Sequence, residues 1–222
     1  PSLLDATLGE PFVIEYFRSS DVLLVLTDGG IGIVSAAEVD GFDSSVPTDP
    51  TTPVTVLTSL PKTEPLAGAA DSREWRRRGS LLASAQLVGN SAGSTALAVA
   101  YAKERQQFGR PIGSFQGLKH LLADSWIRTE VARSSVWSAG VSLDEGSNSF
   151  VERALSGGRV TAARAATENA KTCIQVHGGM GFTWEINAHL FLKRAWILET
   201  QFGSVDDAVR AVAIDFATEA SE

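Results

Sequence analysis

A chain of 222 residues with 44% hydrophobic content has room for one large domain or two modest ones around a packed core. Its net charge of −7, with no basic block, argues against nucleic acid as a partner, and apolar runs such as Val22–Leu26 are too short to cross a bilayer. A single cysteine, Cys173, excludes an internal disulfide framework and a cysteine-based metal site. His120, His177 and His189 are too dispersed for a zinc spacing, so no metal is assigned.

No basic start followed by an apolar segment resembles a signal peptide, and a cytoplasmic location is expected. The chain opens at Pro1 rather than Met and enters strand-like sequence at once, so a fragment of a longer protein is expected.

From Pro11 to Thr58 the signals are β. Val22–Leu26 and Ile31–Val34 flank Thr27-Asp-Gly-Gly30, a hairpin signature, and Pro53–Leu57 is a further β-rich run after the turn-forming Pro47-Thr-Asp-Pro50. The reading is a partial β domain over residues 1–60, small and antiparallel, then a linker over residues 61–70 with Pro61, Pro65 and Gly68. From residue 71 to 222 the periodicity is helical. Asp71 or Ser72 caps a first helix towards Glu104, whose small residues, Gly89, Ser91, Ala92, Gly93, Ala96 and Ala98, permit close approach and suggest an intersubunit surface. A second helix is expected from Phe115 to Ser138, with Leu118, Leu122 and Trp126 on one side, and a turn from Gly140 to Asn148. A third runs from Ser149 to Val176, weakened by Gly157-Gly158. A fourth follows Asn187 as N-cap from Ala188 to Thr200, and Ser204 caps a fifth beginning at Val205. The fold class is therefore α+β, mainly α, with a small antiparallel β unit ahead of a helical bundle.

Two segments carry chemistry. In Gln175-Val-His-Gly-Gly-Met-Gly-Phe-Thr-Trp-Glu185 three glycines fall within four positions after a helical pattern. Such a turn exposes backbone amides to an anionic or ribosyl group, or else closes the helix as a simple cap. In Ala102-Lys-Glu-Arg-Gln-Gln-Phe-Gly-Arg-Pro-Ile-Gly-Ser-Phe-Gln116 positive charge gathers at a helix end, where it suits the dipole and where the Arg105 fork matches a phosphate.

Together these segments closely resemble the acyl-CoA dehydrogenase family, in the family's order, over about Asp71 to Ser204. The resemblance implies a C-terminal helical bundle, tetrameric assembly, an acyl-CoA thioester substrate and FAD held between subunits. Carried over residue by residue, Arg105, Gln107, Phe108, Phe115, Gln116, Gln175, Val176, His177, Gly178 and Gly179 would contact an FAD held chiefly by another chain. The segment that holds the flavin ring in the family has only a superficial counterpart in Thr63-Glu-Pro-Leu-Ala-Gly-Ala-Ala-Asp71, misplaced after the β run.

The family's proton-abstracting glutamate would fall at Phe202, before Gly203-Ser204, or at Gly79. Neither can take a proton, so no catalytic residue is assigned. Glu199, one helical turn before Phe202, and Glu74, beside Arg76, Arg77 and Arg78, are the nearby acids, read as a solvated helix-end carboxylate and a first-turn acid. His177 and His189 are expected to be packed and hydrogen-bonded, Cys173 a small core residue, and Trp126, Trp137, Trp184 and Trp196 core or interface anchors. The implied function is a non-catalytic subunit that completes the FAD site of a catalytic acyl-CoA dehydrogenase partner in an α2β2 assembly, with fatty or steroid acyl-CoA as substrate. The alternatives are a self-sufficient homotetramer with a displaced base and a structural bundle that binds no flavin.

Overall fold

Alternating apolar residues around a two-residue turn draw β3 (Val22–Thr27) and β4 (Gly30–Ser35) into the expected hairpin, in register from Val22 opposite Ser35 to Thr27 opposite Gly30. The computed structural model describes residues 2–66, 71–145 and 148–219. It divides into two compact units between Gly79 and Ser80, further along the chain than the expected linker, and inside a helix.

The first unit holds two sheets. β1 (Ser2–Asp5) pairs in parallel with β3, so the unit is not wholly antiparallel, and β4 pairs on its far side with β7 (Glu64–Pro65). β2 (Val13–Glu15), β6 (Val54–Leu57) and β5 (Gly41–Asp43) form a second, antiparallel sheet. Leu4, Ile14, Phe17, Leu23, Val25, Val34 and Leu57 make one buried cluster. β7 corrects the reading of residues 61–70 as linker. A Cβ on Gly32 would lie 2.1 Å from Thr63 Oγ1, so glycine in β4 is what lets this segment close onto the sheet as an edge strand, the position where Pro65 is tolerated. Ala67–Ala70, the remainder of that stretch, lie outside the described residues.

The second unit is the bundle: α1 (Ser72–Glu104), in which the division falls, α2 (Gln116–Glu145), α3 (Asn148–His177), α4 (Ala188–Leu198) and α5 (Val205–Glu219). Alanines dominate the inner face of α3, where Ala162, Ala163, Ala165 and Ala166 meet Leu87 and Val88 of α1, Ala132 and Val136 of α2, and Ala195 and Leu198 of α4. Of the small residues of α1, Ser91 and Ala98 serve this internal packing, whereas Gly89 and Ala96 are exposed. Ser91, Ser94 and Thr95 are buried, and Asn169 of α3 donates from Nδ2 to Ser91 Oγ and to the Ser125 carbonyl, both at 2.7 Å, while Arg128 Nε donates to its Oδ1 at 2.8 Å. A buried amide so fully engaged fixes the helices in one register.

α2 runs seven residues past the expected end, through Gly140. Ala139 is buried with Val151 and Leu155 of α3, and Leu143 packs on them, which outweighs the low helix propensity of one glycine. Gly157 and Gly158 likewise lie within α3, with Ser135 O 3.4 Å from a Cβ built on Gly158. Asn187 precedes α4 without a side-chain cap, its carbonyl accepting from Leu190 N at 3.1 Å. No helix among the described residues is long and apolar enough to cross a membrane.

Candidate functional site

Arg105 follows α1 directly, its amide donating to the Tyr101 carbonyl at 2.8 Å. The chain then forms a hairpin of β8 (Gln106–Gln107) and β9 (Arg110–Pro111). Its two turn residues, Phe108 at φ 54° and Gly109 at φ 78°, are both left-handed, as the type I′ turn requires. For a phenylalanine that conformation costs about 1–2 kcal/mol. Nevertheless the Phe108 ring is 91% exposed, its one aromatic neighbour among the described residues being Phe115 in an edge contact at 6.1 Å. The Arg110 guanidinium covers the Phe115 ring at 4.1 Å. Ile112 N donates to the Arg105 carbonyl at 2.8 Å and closes the hairpin onto the helix.

The glycine turn lies at the end of α3. His177 is buried, 4% exposed, with its ring stacked on Tyr101 at 4.2 Å and Nδ1 bonded to the Cys173 carbonyl at 2.7 Å. Tyr101, Ala102 and Ile112 join Ile174, Val176 and Cys173 in one apolar cluster, so the two sequence segments share one end of the bundle. Burial pushes the Cys173 thiol up to about 12, against a backbone hydrogen bond from Ala98, which leaves it an inert core residue. Gly178 takes φ +61°, and a Cβ on Gly178 or Gly179 would meet nothing within 4 Å. Gly181 differs. There a Cβ would lie 2.6 Å from the Ile174 carbonyl oxygen, so this glycine is required by packing.

The expected site residues therefore separate. Arg105, Gln107, Phe108, Gln116, Gln175, Gly178 and Gly179 are exposed, and Phe115 is half-buried beneath Arg110. Gln107 turns back on itself, Nε2 donating to the Gln106 carbonyl at 2.8 Å. Val176 and His177 point into the bundle and can offer only backbone. His189 is packed edge-on to Trp184 at 4.8 Å, but its Nδ1 finds no hydrogen-bond partner among the described residues. The tryptophans are not core: Trp126, Trp137, Trp184 and Trp196 are all exposed.

Phe202 and Gly203 both have positive φ, 54° and 110°, in the turn between α4 and α5. Glu199 is half-buried rather than solvated and accepts a hydrogen bond from Thr167. Beneath this turn lies Arg159, 1% exposed, donating from Nη2 to the carbonyls of Leu198 and Gly203 at 3.0 Å each and to that of Gln201. Burial pushes its guanidinium below the ordinary arginine value, with the Glu199 charge opposing the shift. Sequence reading missed Arg159. Its signal was an arginine at a core position of α3, four residues after Leu155 and three before Ala162. Glu74 is bound to Arg78 at 2.8 Å, and Arg76 to the buried Asp5 at 3.1 Å.

Residues 77–213 match the model of the acyl-CoA dehydrogenase C-terminal domain. The acyl-CoA dehydrogenase IpdE2 of Mycobacterium tuberculosis is 38% identical over 150 residues, which cover 66% of this chain and 43% of that protein. Among solved structures, a variant of the Tcur3481-Tcur3483 steroid ACAD superposes with a TM-score of 0.82 at 20% identity, covering 100% of this chain and 63% of that one. The ChsE4-ChsE5 complex from Mycobacterium tuberculosis gives 0.77 at 23% identity, covering 98% and 63%. The chain thus spans less than two thirds of the relatives it matches. With the paired segments at one end of an α-helical bundle and a family match over more than half its length, the chain belongs to the acyl-CoA dehydrogenase family.

Proposed function

We propose that this chain is the subunit of a heteromeric acyl-CoA dehydrogenase that completes the FAD site of a catalytic partner and carries no proton-abstracting base of its own. One observation carries the reading: the hairpin and the glycine turn share the cluster around Tyr101 and Ile112, yet each offers its ligand-like features outward. Phe108 holds a costly backbone conformation with its ring in solvent, a pattern that becomes favourable once another molecule covers the ring. The open space at Gly178 and Gly179 is not used by the chain's own packing and gives a nucleotide close access to backbone. Arg105, where α1 ends, supplies a cation at the same end of the bundle that matches a pyrophosphate.

Bound flavin would supply the hydride acceptor for α,β-desaturation of an acyl-CoA thioester. In this division of labour Arg105 and Gln175 bind and orient, while Phe108 covers the cofactor from water. Phenylalanine at position 202 and glycine at 79 leave the proton step to a carboxylate of the partner. Two-protein assemblies among the fold's relatives, ChsE4-ChsE5 and the Tcur3481-Tcur3483 steroid ACAD, support a partner of different sequence, in the α2β2 arrangement that a tetramer of two chain types would have, and a steroid acyl-CoA as the first substrate class to try.

Arg105→Ala tests the cofactor assignment. The expected loss of FAD affinity in the assembled complex is about 1.5–3 kcal/mol, the scale of a hydrogen bond to a charged group, read by flavin absorbance after dialysis. Retention equal to wild type removes the pyrophosphate role.

A further inference from the structure

Two residues in the whole sequence carry sulfur, Cys173 and Met180, and the fold treats them oppositely. Cys173 is fully buried in the cluster with Ala98, Ala102 and Ile174. Met180 is 40% exposed, so it is the sulfur that an oxidant in solution reaches.

The backbone of Met180 is held on its C-terminal side. Its carbonyl accepts from Thr183 N at 3.1 Å and from Thr183 Oγ1 at 2.9 Å. Gly181, the next residue, sits so close to the Ile174 carbonyl that a Cβ would lie 2.6 Å from its oxygen. On the N-terminal side the turn is open, since a Cβ on Gly178 or Gly179 would meet nothing within 4 Å. An unbranched, flexible thioether is therefore fixed at its root and free at its tip, at the edge of that opening.

We propose that Met180 is a redox-modification site, at which oxidation by hydrogen peroxide to the sulfoxide weakens the hold of the glycine turn on FAD, an inference that rests on the flavin reading above. The thioether sulfur attacks one peroxide oxygen, and the S–O bond forms as the O–O bond breaks. Sulfur gives up two electrons, and the departing hydroxide takes the remaining proton and leaves as water. A soft apolar tip becomes a polar, chiral one. The new oxygen only accepts hydrogen bonds, as phosphate oxygens do, so the two oppose each other wherever the turn is covered by a nucleotide. Sulfoxide reductases reverse the change, which makes the site a switch.

Peptide mass mapping of the protein assembled with its partner tests it. Hydrogen peroxide should add one oxygen to Met180 in the flavin-free complex, and bound FAD should slow that addition. The affinity of the oxidised complex for FAD, read by flavin fluorescence, should fall about tenfold, a moderate share of what covering an unpaired polar group costs. Treatment with the reductases for both sulfoxide epimers should restore it. Met180→Leu keeps the bulk and removes the sulfur, so its FAD affinity should be the same before and after peroxide. Absence of oxidation at Met180 in the flavin-free complex, a sulfoxide there with unchanged FAD affinity, or an equal loss of FAD from peroxide-treated Met180→Leu would overturn the site. A complex that holds no FAD before oxidation would remove the flavin reading itself, and this inference with it.

Discussion

Gly179 and Gly181 stand two positions apart and meet opposite demands. A Cβ at 181 would press on the Ile174 carbonyl oxygen at 2.6 Å and its Cα at 3.0 Å, backbone that cannot rotate away. Gly181→Ala should therefore cost about 1–3 kcal/mol, the range of overpacking, and lower the thermal midpoint by roughly 2–4 °C per kcal/mol. At 179 nothing lies within 4 Å. Gly179→Val should keep the wild-type midpoint and lose flavin in the assembled complex, whereas normal flavin content in that variant would make the turn a structural cap. The sequence made the turn itself legible, since three glycines after a helical pattern have few other uses. It could not assign them separate roles, because the same letter serves close packing at 181 and open access at 179. Arg159 was harder still: a buried guanidinium whose Nη2 alone reaches three carbonyls across the α4–α5 turn, with Nε and Nη1 finding no partner among the described residues, leaves no local pattern at its own position beyond a charge on an apolar stripe.

Helix starts were the more readable part of the elements, and at α1 and α5 a local cap explains it, although Asn187 gives α4 no side-chain cap. At the start of α5 Ser204 Oγ accepts from Asp207 N at 3.1 Å and donates to Asp207 Oδ2 at 2.6 Å, a capping box with aspartate in the glutamate position. Ser204→Ala should cost about 0.5–2 kcal/mol and raise amide exchange in α5 without changing α3. The Ser204 hydroxyl first, then its amide, then Arg210, hold the Asp207 carboxyl below the usual aspartate range. A carboxyl so depressed stabilises the fold above that range, and the contribution is lost as pH falls through the folded value. Protection of α5 should thus decline in acid and become insensitive to pH in Asp207→Asn. Element ends decided by distant contacts were not legible. α2 continues through Gly140 because Val151 and Leu155 of α3 meet it there, and β7 exists because Gly32 of β4 admits Thr63. Neither cause lies within the segment concerned. On α2, Leu118 and Leu122 pack as their shared spacing suggests while Trp126, expected on the same side, is exposed.

At the scale of the whole molecule, the proposed heteromer puts the base in the partner, and Glu199 is the residue of this chain on which that proposal is tested. Glu199 lies three residues before Phe202, and its surroundings already engage it. It accepts from Thr167 and opposes the buried charge of Arg159, and α4 ends at Leu198, so no helical turn aligns it with Phe202. A carboxylate held by Thr167 of α3, with its charge acting on a buried guanidinium, serves structure. Glu199→Gln should accordingly lower thermal stability, because Arg159 loses its opposing charge, while turnover of correctly assembled, flavin-loaded enzyme stays within about tenfold of wild type. Removing a general base typically costs 10²–10⁴-fold, so the two roles are well separated. Stopped-flow reduction of the flavin by acyl-CoA reads the proton step directly, and the partner's carboxylate should show the large loss on substitution. Collapse of flavin reduction in Glu199→Gln, with assembly and FAD content preserved, would return the base to this chain and make the enzyme self-sufficient.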